Sequence, residues 1–138
     1  MGVEIRYRLR KGPEITGYMR RMKGSKTFFF SKDQFWWNGS EIDHDQIDEA
    51  IGLRDINNRP LYELDIVIYK IGDGVDRQGA VLWSAERDCF LIKDFEDQEL
   101  YVPFQVEGLD LFEPQDLRFH AFLFTHPELM KELGVRDE

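Results

Sequence analysis

The chain has 138 residues, of which 42% are hydrophobic and 33% are charged, and its formal net charge is −9. This length fits about one domain, and the apolar fraction is too high for an intrinsically disordered chain. The negative balance argues against nucleic-acid binding over the whole surface, and the one cysteine, Cys89, excludes an internal disulfide framework.

The N-terminal segment is predicted to form strands with a basic face. Apolar and basic residues alternate over residues 4–10 with the period of a half-buried strand. Ile5, Tyr7 and Leu9 are predicted on one face, and the other face carries Arg6, Arg8 and Arg10. Gly12 and Pro13 end this strand, and a second short strand follows over residues 15–19. Something acidic is expected to cover the arginine row. Since exposed ion pairs contribute little, replacing Arg6 and Arg8 by Glu is expected to leave the fold intact.

An aromatic block follows, with six aromatic side chains in the ten positions 28–37. A hairpin loop is predicted over residues 31–34, and Asn38-Gly39 is typical of a type I′ turn. Asp43 or Asp45 is predicted to cap a short helix that runs to Ile51 and ends at Gly52.

The rest of the chain shows the pattern of short strands between turns. Turn residues occupy positions 55–60, and strands are predicted over residues 64–71, 79–84, 89–93, 99–104, 109–112 and 118–124. A turn over residues 85–88 joins two of them in a hairpin. Pro127 is predicted to open a closing helix that ends at Leu133, before Gly134.

Together these elements predict a mainly β protein: a small SH3-like barrel or pseudo-barrel with an N-terminal β lobe and two short helices. We expect one domain over residues 1–138, with the lobe at about 1–50, the barrel at about 51–125 and the closing helix at about 127–133. No apolar run approaches the ~20 residues that span a bilayer, so we expect a cytoplasmic protein with no membrane partner.

Four motifs, in the same order along the chain, resemble the YopX family of phage and prophage proteins. The longest covers residues 52–67. It contains Gly-Leu-Arg-Asp and Tyr-Glu-Leu-Asp-Ile-Val. The family pattern at these positions is Gly-Leu, Lys or Arg, Asp, Asn-Gly and then Ile-Tyr-Glu-Gly-Asp-Ile-Val. The others are Ile5-Arg6-Tyr7-Arg8, Asn38-Gly39-Ser40-Glu41-Ile42 and Pro127-Glu128-Leu129-Met130. The resemblance implies a small, mostly β protein from a phage or prophage, and it carries no catalytic residue set.

Several positions depart from the family pattern. Its Asn-Gly turn is Asn57-Asn58 here, and asparagine tolerates left-handed backbone well enough to keep the turn. Its glycine before Asp-Ile-Val is Leu64, and because a leucine at positive φ is strained, the backbone is expected to differ there. His126 replaces an asparagine before Pro127 and is a poorer helix cap.

The sequence contains few residues that could form a catalytic or metal site. Residues 41–49 hold five carboxylates around His44, and Asp43 and Asp45 have metal-ligand spacing, but we favour a solvated helix start. Cys89 has no base near it in sequence and is predicted to be structural, while His120 and His126 lack a third metal ligand. We therefore predict no catalytic residue, no metal site and no cofactor.

Charge is distributed unevenly along the chain. Residues 1–32 carry nine basic and two acidic side chains, a net +7, whereas the remainder is −16. We expect the basic segment to pack on the acidic part of its own chain or of a second copy, with a nucleic acid or another acidic partner as alternatives. The aromatic side chains of positions 28–37 are expected to lie partly in the core and partly at a subunit interface. The alternatives are that they bind in a groove of another protein, or that they stack on bases in a basic groove.

The predicted partner-binding residues are basic or aromatic and belong to the N-terminal lobe: Arg6, Arg8, Arg10, Arg20, Arg21, Phe29, Trp36 and Trp37. The sequence predicts a non-enzymatic protein-interaction module that forms a homo-oligomer, most simply a dimer, or binds a host protein. The alternative function is nucleic-acid binding through the basic, aromatic lobe.

Overall fold

The structure, a computed structural model, describes residues 4–22, 27–30, 37–38, 41–72, 74–97 and 99–135. The protein is mainly β, as predicted. The chain divides into two compact units: unit 1 comprises residues 1–50 and 124–138, and unit 2 comprises residues 51–123. The closing helix thus belongs to the same unit as the N-terminal strands.

The described strands follow one another with short connections. In chain order they are β1 (Glu4–Lys11), β2 (Glu14–Met22), β3 (Thr27–Phe30), β4 (Trp37–Asn38), β5 (Gln46–Arg54), β6 (Pro60–Tyr62), β7 (Asp65–Tyr69), β8 (Arg77–Ser84), β9 (Cys89–Asp94), β10 (Tyr101–Pro103), β11 (Gln105–Val106), β12 (Leu109–Asp110) and β13 (Leu117–Phe122). Two 3-10 turns, Pro114–Asp116 and Leu123–Thr125, and the helix α1 (Pro127–Leu133) complete the described elements.

Unit 1 is built on an antiparallel sheet in the order β4-β3-β2-β1-β5, to which β5 contributes residues 46–50. Gly12, at φ 56°, makes the tight turn between β1 and β2. A register shift between Leu9 and Arg10 interrupts the pairing of these two strands. The predicted strands over residues 4–10 and 15–19 are confirmed, and both extend further than expected.

The helix predicted from Asp43 or Asp45 to Ile51 is wrong. Residues 41–45 are irregular, and Gln46–Arg54 forms the strand β5. Gly52, the expected helix stop, lies inside this strand at φ 87°. The acidic residues favour a helix start locally, but the β-branched Ile47 and Ile51 suit a strand, and pairing with β1 decides the outcome.

Unit 2 contains an antiparallel sheet in the order β10-β9-β8-β7-β13, and a separate hairpin of β11 and β12. The strand pairs described leave this sheet open, with β10 and β13 at its edges, so the predicted barrel is not closed by hydrogen bonding among them. A core of nine buried side chains lies in this unit: Leu61, Val67, Tyr69, Val81, Ile92, Val102, Phe104, Phe112 and Leu117. The predicted hairpin around residues 85–88 is confirmed as β8 and β9.

Leu64 corrects another expectation. Its backbone has a φ of 70°, the left-handed conformation that a glycine would adopt, although the side chain is buried. Two hydrogen bonds hold it there, because Leu64 N donates to Val81 O and Leu64 O accepts from Leu123 N, both at 2.8 Å. Asn58 has a φ of 63°, so the predicted tolerance of asparagine in that turn is confirmed.

The closing helix is confirmed over Pro127–Leu133, with Gly134 at φ 71° as its C-terminal cap. This seven-residue helix is far too short for a bilayer, and no helix among the described residues has the length and apolarity to cross one. The predicted loop over residues 31–34, and Gly39 of the predicted turn, lie outside the described residues.

Candidate functional site

The arginine row of β1 is only partly at the surface. Arg8 and Arg10 are each 1% exposed, whereas Arg6 is half-buried. Arg8 faces Asp48 directly across β1 and β5, and its Nε donates a hydrogen bond to Asp48 Oδ2 at 2.8 Å. Arg10 donates to both oxygens of the same carboxylate, at 2.8 and 3.1 Å. The acidic group expected to cover this row is therefore Asp48 of the same unit.

A buried phenylalanine completes this cluster in unit 1. The guanidinium carbons of Arg8 and Arg10 lie 4.8 and 4.2 Å from the centroid of the Phe124 ring. Cation–π contacts of this kind strengthen when they are removed from water. Arg8 and Arg10 are thus structural residues in this fold, which corrects their assignment to a partner-binding surface. Replacing Arg8 by Glu would place a carboxylate beside buried Asp48, so that variant is expected to unfold.

Four further predicted partner-binding residues, Arg6, Arg20, Arg21 and Phe29, lie on two faces of the unit 1 sheet. Arg6 is directly opposite Arg20, and the guanidinium carbon of Arg20 lies 4.6 Å from the centroid of the Phe30 ring. Arg21 and Phe29 alternate with Arg20 and Phe30 along their strands, and so belong to the other face.

Of the two predicted tryptophans, the structure describes the backbone of Trp37 alone. Trp37 pairs with Phe30 in the sheet through the backbone of β4, and Trp36 lies outside the described residues.

The acidic run over residues 41–49 is divided among separate contacts. Exposed Asp43 forms an ion pair with Lys11 Nζ at 2.6 Å, and this partner lowers the pKa of Asp43. Asp45 accepts a hydrogen bond from Gly12 N, and Asp48 belongs to the buried cluster. No group of three or more His, Cys, Asp or Glu side chains suited to a metal ion occurs in the described part of the chain.

A buried carboxylate also organises one end of the unit 2 core. Asp94 accepts hydrogen bonds from Tyr69 Oη at 2.6 Å and from Arg77 Nε at 3.0 Å. Burial alone would raise the pKa of Asp94, but the hydrogen bonds from Arg77 and Tyr69 outweigh it and lower the pKa to about 2. Burial and the bond to Asp94 raise the pKa of Tyr69 well above its ordinary value. These three side chains are therefore held together by their own hydrogen bonds at this end of the core.

Unit 2 has an open cleft with aromatic walls, which we call the aromatic cleft. It has a volume of about 360 Å³ and is lined by residues from β5, the β8–β9 hairpin and the segment around β11 and β12: Ile51, Gly52, Leu53, Trp83, Cys89, Phe90, Phe104, Gln105 and Asp110. Trp83 and Phe90 are direct cross-strand partners with ring centroids 5.0 Å apart at an interplanar angle of 71°. This volume is at the lower end of the range for binding sites, about 300–1,000 Å³.

Exposed apolar side chains occur in the lining of the aromatic cleft and in the hairpin next to it. Trp83 is 44% exposed, and Val106 and Leu109 of the neighbouring hairpin are 49% and 73% exposed. Glu107 and Gly108, both at positive φ, make the turn that projects Val106 and Leu109. Val106 and Leu109 alternate with the lining residues Gln105 and Asp110, so these two side chains belong to the other face of the hairpin.

Unit 2 has a second cleft, with a volume of about 430 Å³, whose lining is mainly polar and charged and not aromatic. Its charged lining is balanced, with Lys70 and Arg118 against Asp76 and Asp116, and no aromatic side chain contributes to it. The aromatic cleft is therefore the better candidate for a functional site.

The aromatic cleft is not among the sites predicted from the sequence. The turn predicted over residues 85–88 already places Trp83 opposite Phe90, since both lie equally far from the turn. What sequence alone lacks is the approach of Phe104 and Gln105 to that pair. Cys89, predicted to be structural, is half-buried in the wall of the cleft.

No protein-family model, curated protein or solved structure matches the chain.

Proposed function

We propose that this chain is a non-enzymatic protein-interaction module whose aromatic cleft holds a segment of a partner protein. The observation that carries the proposal is the position of Trp83, which packs edge-to-face against Phe90 at the wall of the cleft yet leaves 44% of its surface exposed. Tryptophan side chains anchor many interfaces, because a rigid ring buries a large area at low entropic cost. The phage or prophage origin implied by the YopX-like motifs belongs to the same proposal and rests on those motifs alone.

Peptide display tests this function without knowledge of the natural partner. Peptides selected on the immobilised wild-type chain are measured by calorimetry against wild type, Trp83→Ala and Ile71→Ala. Ile71 is a matched control, since it is an exposed apolar residue of unit 2 outside the lining of the cleft. We expect Trp83→Ala to weaken binding by about 2 kcal/mol, or about 30-fold, and Ile71→Ala to leave it unchanged.

Two results would contradict this function. Either no peptide is enriched above background, or the enriched peptides bind Trp83→Ala and wild type equally.

Nucleic-acid binding is the second candidate, and one observation favours it. Arg6 and Arg20 face each other across β1 and β2, so this face of the unit 1 sheet bears two cations side by side, as contacts to a phosphate backbone require. The contact of Arg20 with Phe30 sets an aromatic ring beside these cations. An Arg6→Gln, Arg20→Gln variant is expected to lose affinity for a single-stranded oligonucleotide. Wild-type binding must also weaken steeply with added salt. Binding that is insensitive to salt or to this variant contradicts the second candidate.

A further inference from the structure

The two tight turns next to the aromatic cleft carry carboxylates. Glu86 and Asp88 lie in the turn that links the lining residues Trp83 and Cys89, and Glu107 lies in the turn that links Gln105 and Asp110. All three side chains are exposed, as is that of Asp110 in the lining itself. We call Glu86, Asp88, Glu107 and Asp110 the acidic rim.

The cation nearest to the acidic rim in the sequence is directed to the other face of the sheet. The guanidinium carbon of Arg87 lies 5.8 Å from the centroid of the Tyr101 ring. Tyr101 pairs with Lys93, whereas Val102 pairs with Ile92 on the face that also bears Trp83 and Phe90. Alternation along the strands therefore separates the contact of Arg87 with Tyr101 from the cleft. The rim keeps its negative charge, in a unit with fifteen carboxylate side chains and seven Lys and Arg side chains.

Resting on the function proposed above, we infer that the segment bound in the aromatic cleft is cationic: a lysine- or arginine-rich stretch of another protein with one large apolar side chain. The apolar side chain fills the cleft between Trp83 and Phe104, and the flanking cations face the rim. Opposite charges at the edge of an interface speed association and exclude wrong partners. The same rim repels phosphates, so the cleft selects against a nucleic acid.

Calorimetry measures occupancy of the cleft. Binding to the wild-type chain is compared for a capped peptide that has lysines around a central tryptophan and for the same peptide carrying glutamates. Trp83→Ala is measured beside the wild type, because Trp83 lines the cleft and its loss locates the binding there. We expect the lysine peptide to bind the wild type with an affinity about tenfold higher, and the advantage to shrink as salt screens the rim.

A pair of variants isolates the rim. Glu86→Gln with Glu107→Gln removes two rim charges, and Glu96→Gln with Glu99→Gln removes two exposed charges from the opposite end of β9. Only the first variant should reduce the preference for the lysine peptide.

The outcomes separate the two proposals. Equal affinity for both peptides would overturn the cationic partner and leave the cleft as a binding site. Binding of neither peptide, or binding that Trp83→Ala leaves unchanged, would overturn the cleft as the binding site as well. A dimer of the wild type that Trp83→Ala dissociates would assign the cleft to a second copy of this chain, and would also overturn the inference.

Discussion

Arg8 and Asp48 face each other across β1 and β5, both buried, with Arg8 Nε 2.8 Å from Asp48 Oδ2. The same carboxylate also accepts from Arg10, so one buried acid serves two buried arginines. A buried charge that loses its partner is far more costly than an exposed one, because water cannot take the partner's place. The integrity of unit 1 therefore depends on Asp48 more than on any exposed ion pair of the basic segment.

The first prediction follows from this dependence. Asp48→Asn should destabilise the protein by about 3–5 kcal/mol, measured by urea unfolding followed by circular dichroism. Asp43→Asn is the control, since its ion pair with Lys11 is exposed, with side chains 52% and 80% accessible, and its loss should have little effect. Similar effects of the two variants would contradict a special role for the buried pair.

Features of this fold that depend on neighbouring residues were predictable from the sequence, whereas contacts between distant residues were not. The hairpin of β8 and β9 and the helix α1 were predicted because their signals are local: a turn between two β-rich runs, and a proline and a glycine at the two ends of a helix. The burial of Arg8 was not predicted, because Asp48 lies 40 positions away on a segment whose composition favours a helix start. The aromatic cleft likewise depends on strands that are distant in sequence.

Leu64 provides the second prediction. Left-handed backbone costs a residue with a Cβ atom about 1–2 kcal/mol, which a glycine does not pay. Both Leu64→Ala and Leu64→Gly lose buried side-chain packing, but Leu64→Gly should be the more stable of the two by about 1 kcal/mol.

The control for Leu64 is Leu91, a buried residue in the regular strand β9. There the order should reverse, with glycine less stable than alanine by about 0.5–1 kcal/mol, because glycine loses more backbone entropy in a strand. The same order at both positions would show that backbone strain at Leu64 has no energetic effect.

The third prediction concerns pH. Asp94 has its pKa lowered from an ordinary 3.8 to about 2, so the stability it contributes is fully present above about pH 4 and is lost as the pH falls through about 2. This loss amounts to about 2 kcal/mol. The pKa of Tyr69 is raised, so the dependence has the opposite sign. The stability that Tyr69 contributes is present at neutral pH and is lost as the pH rises well above 10.

Urea unfolding at several pH values checks the Asp94 prediction. The difference in free energy of unfolding between wild type and Asp94→Asn should shrink by about 2 kcal/mol between pH 5 and pH 2, since the asparagine does not titrate. A constant difference over that range would mean that Asp94 is not held ionised by Arg77 and Tyr69.

The fourth prediction is self-association, which the charge division between residues 1–32 and the remainder of the chain favours. Because Arg8 and Arg10 are buried, Arg6 and Arg20 replace them as the residues to change. Light scattering of the wild type at low salt should give a mass above the 16.4 kDa of one chain. Arg6→Gln with Arg20→Gln should keep the circular dichroism spectrum and shift the mass towards 16.4 kDa, because it removes two cations that would contact an acidic surface of a second copy.

A wild-type mass of 16.4 kDa at every concentration contradicts self-association. If the double variant associates normally and loses only oligonucleotide binding, these arginines bind a nucleic acid and not a second copy of the chain.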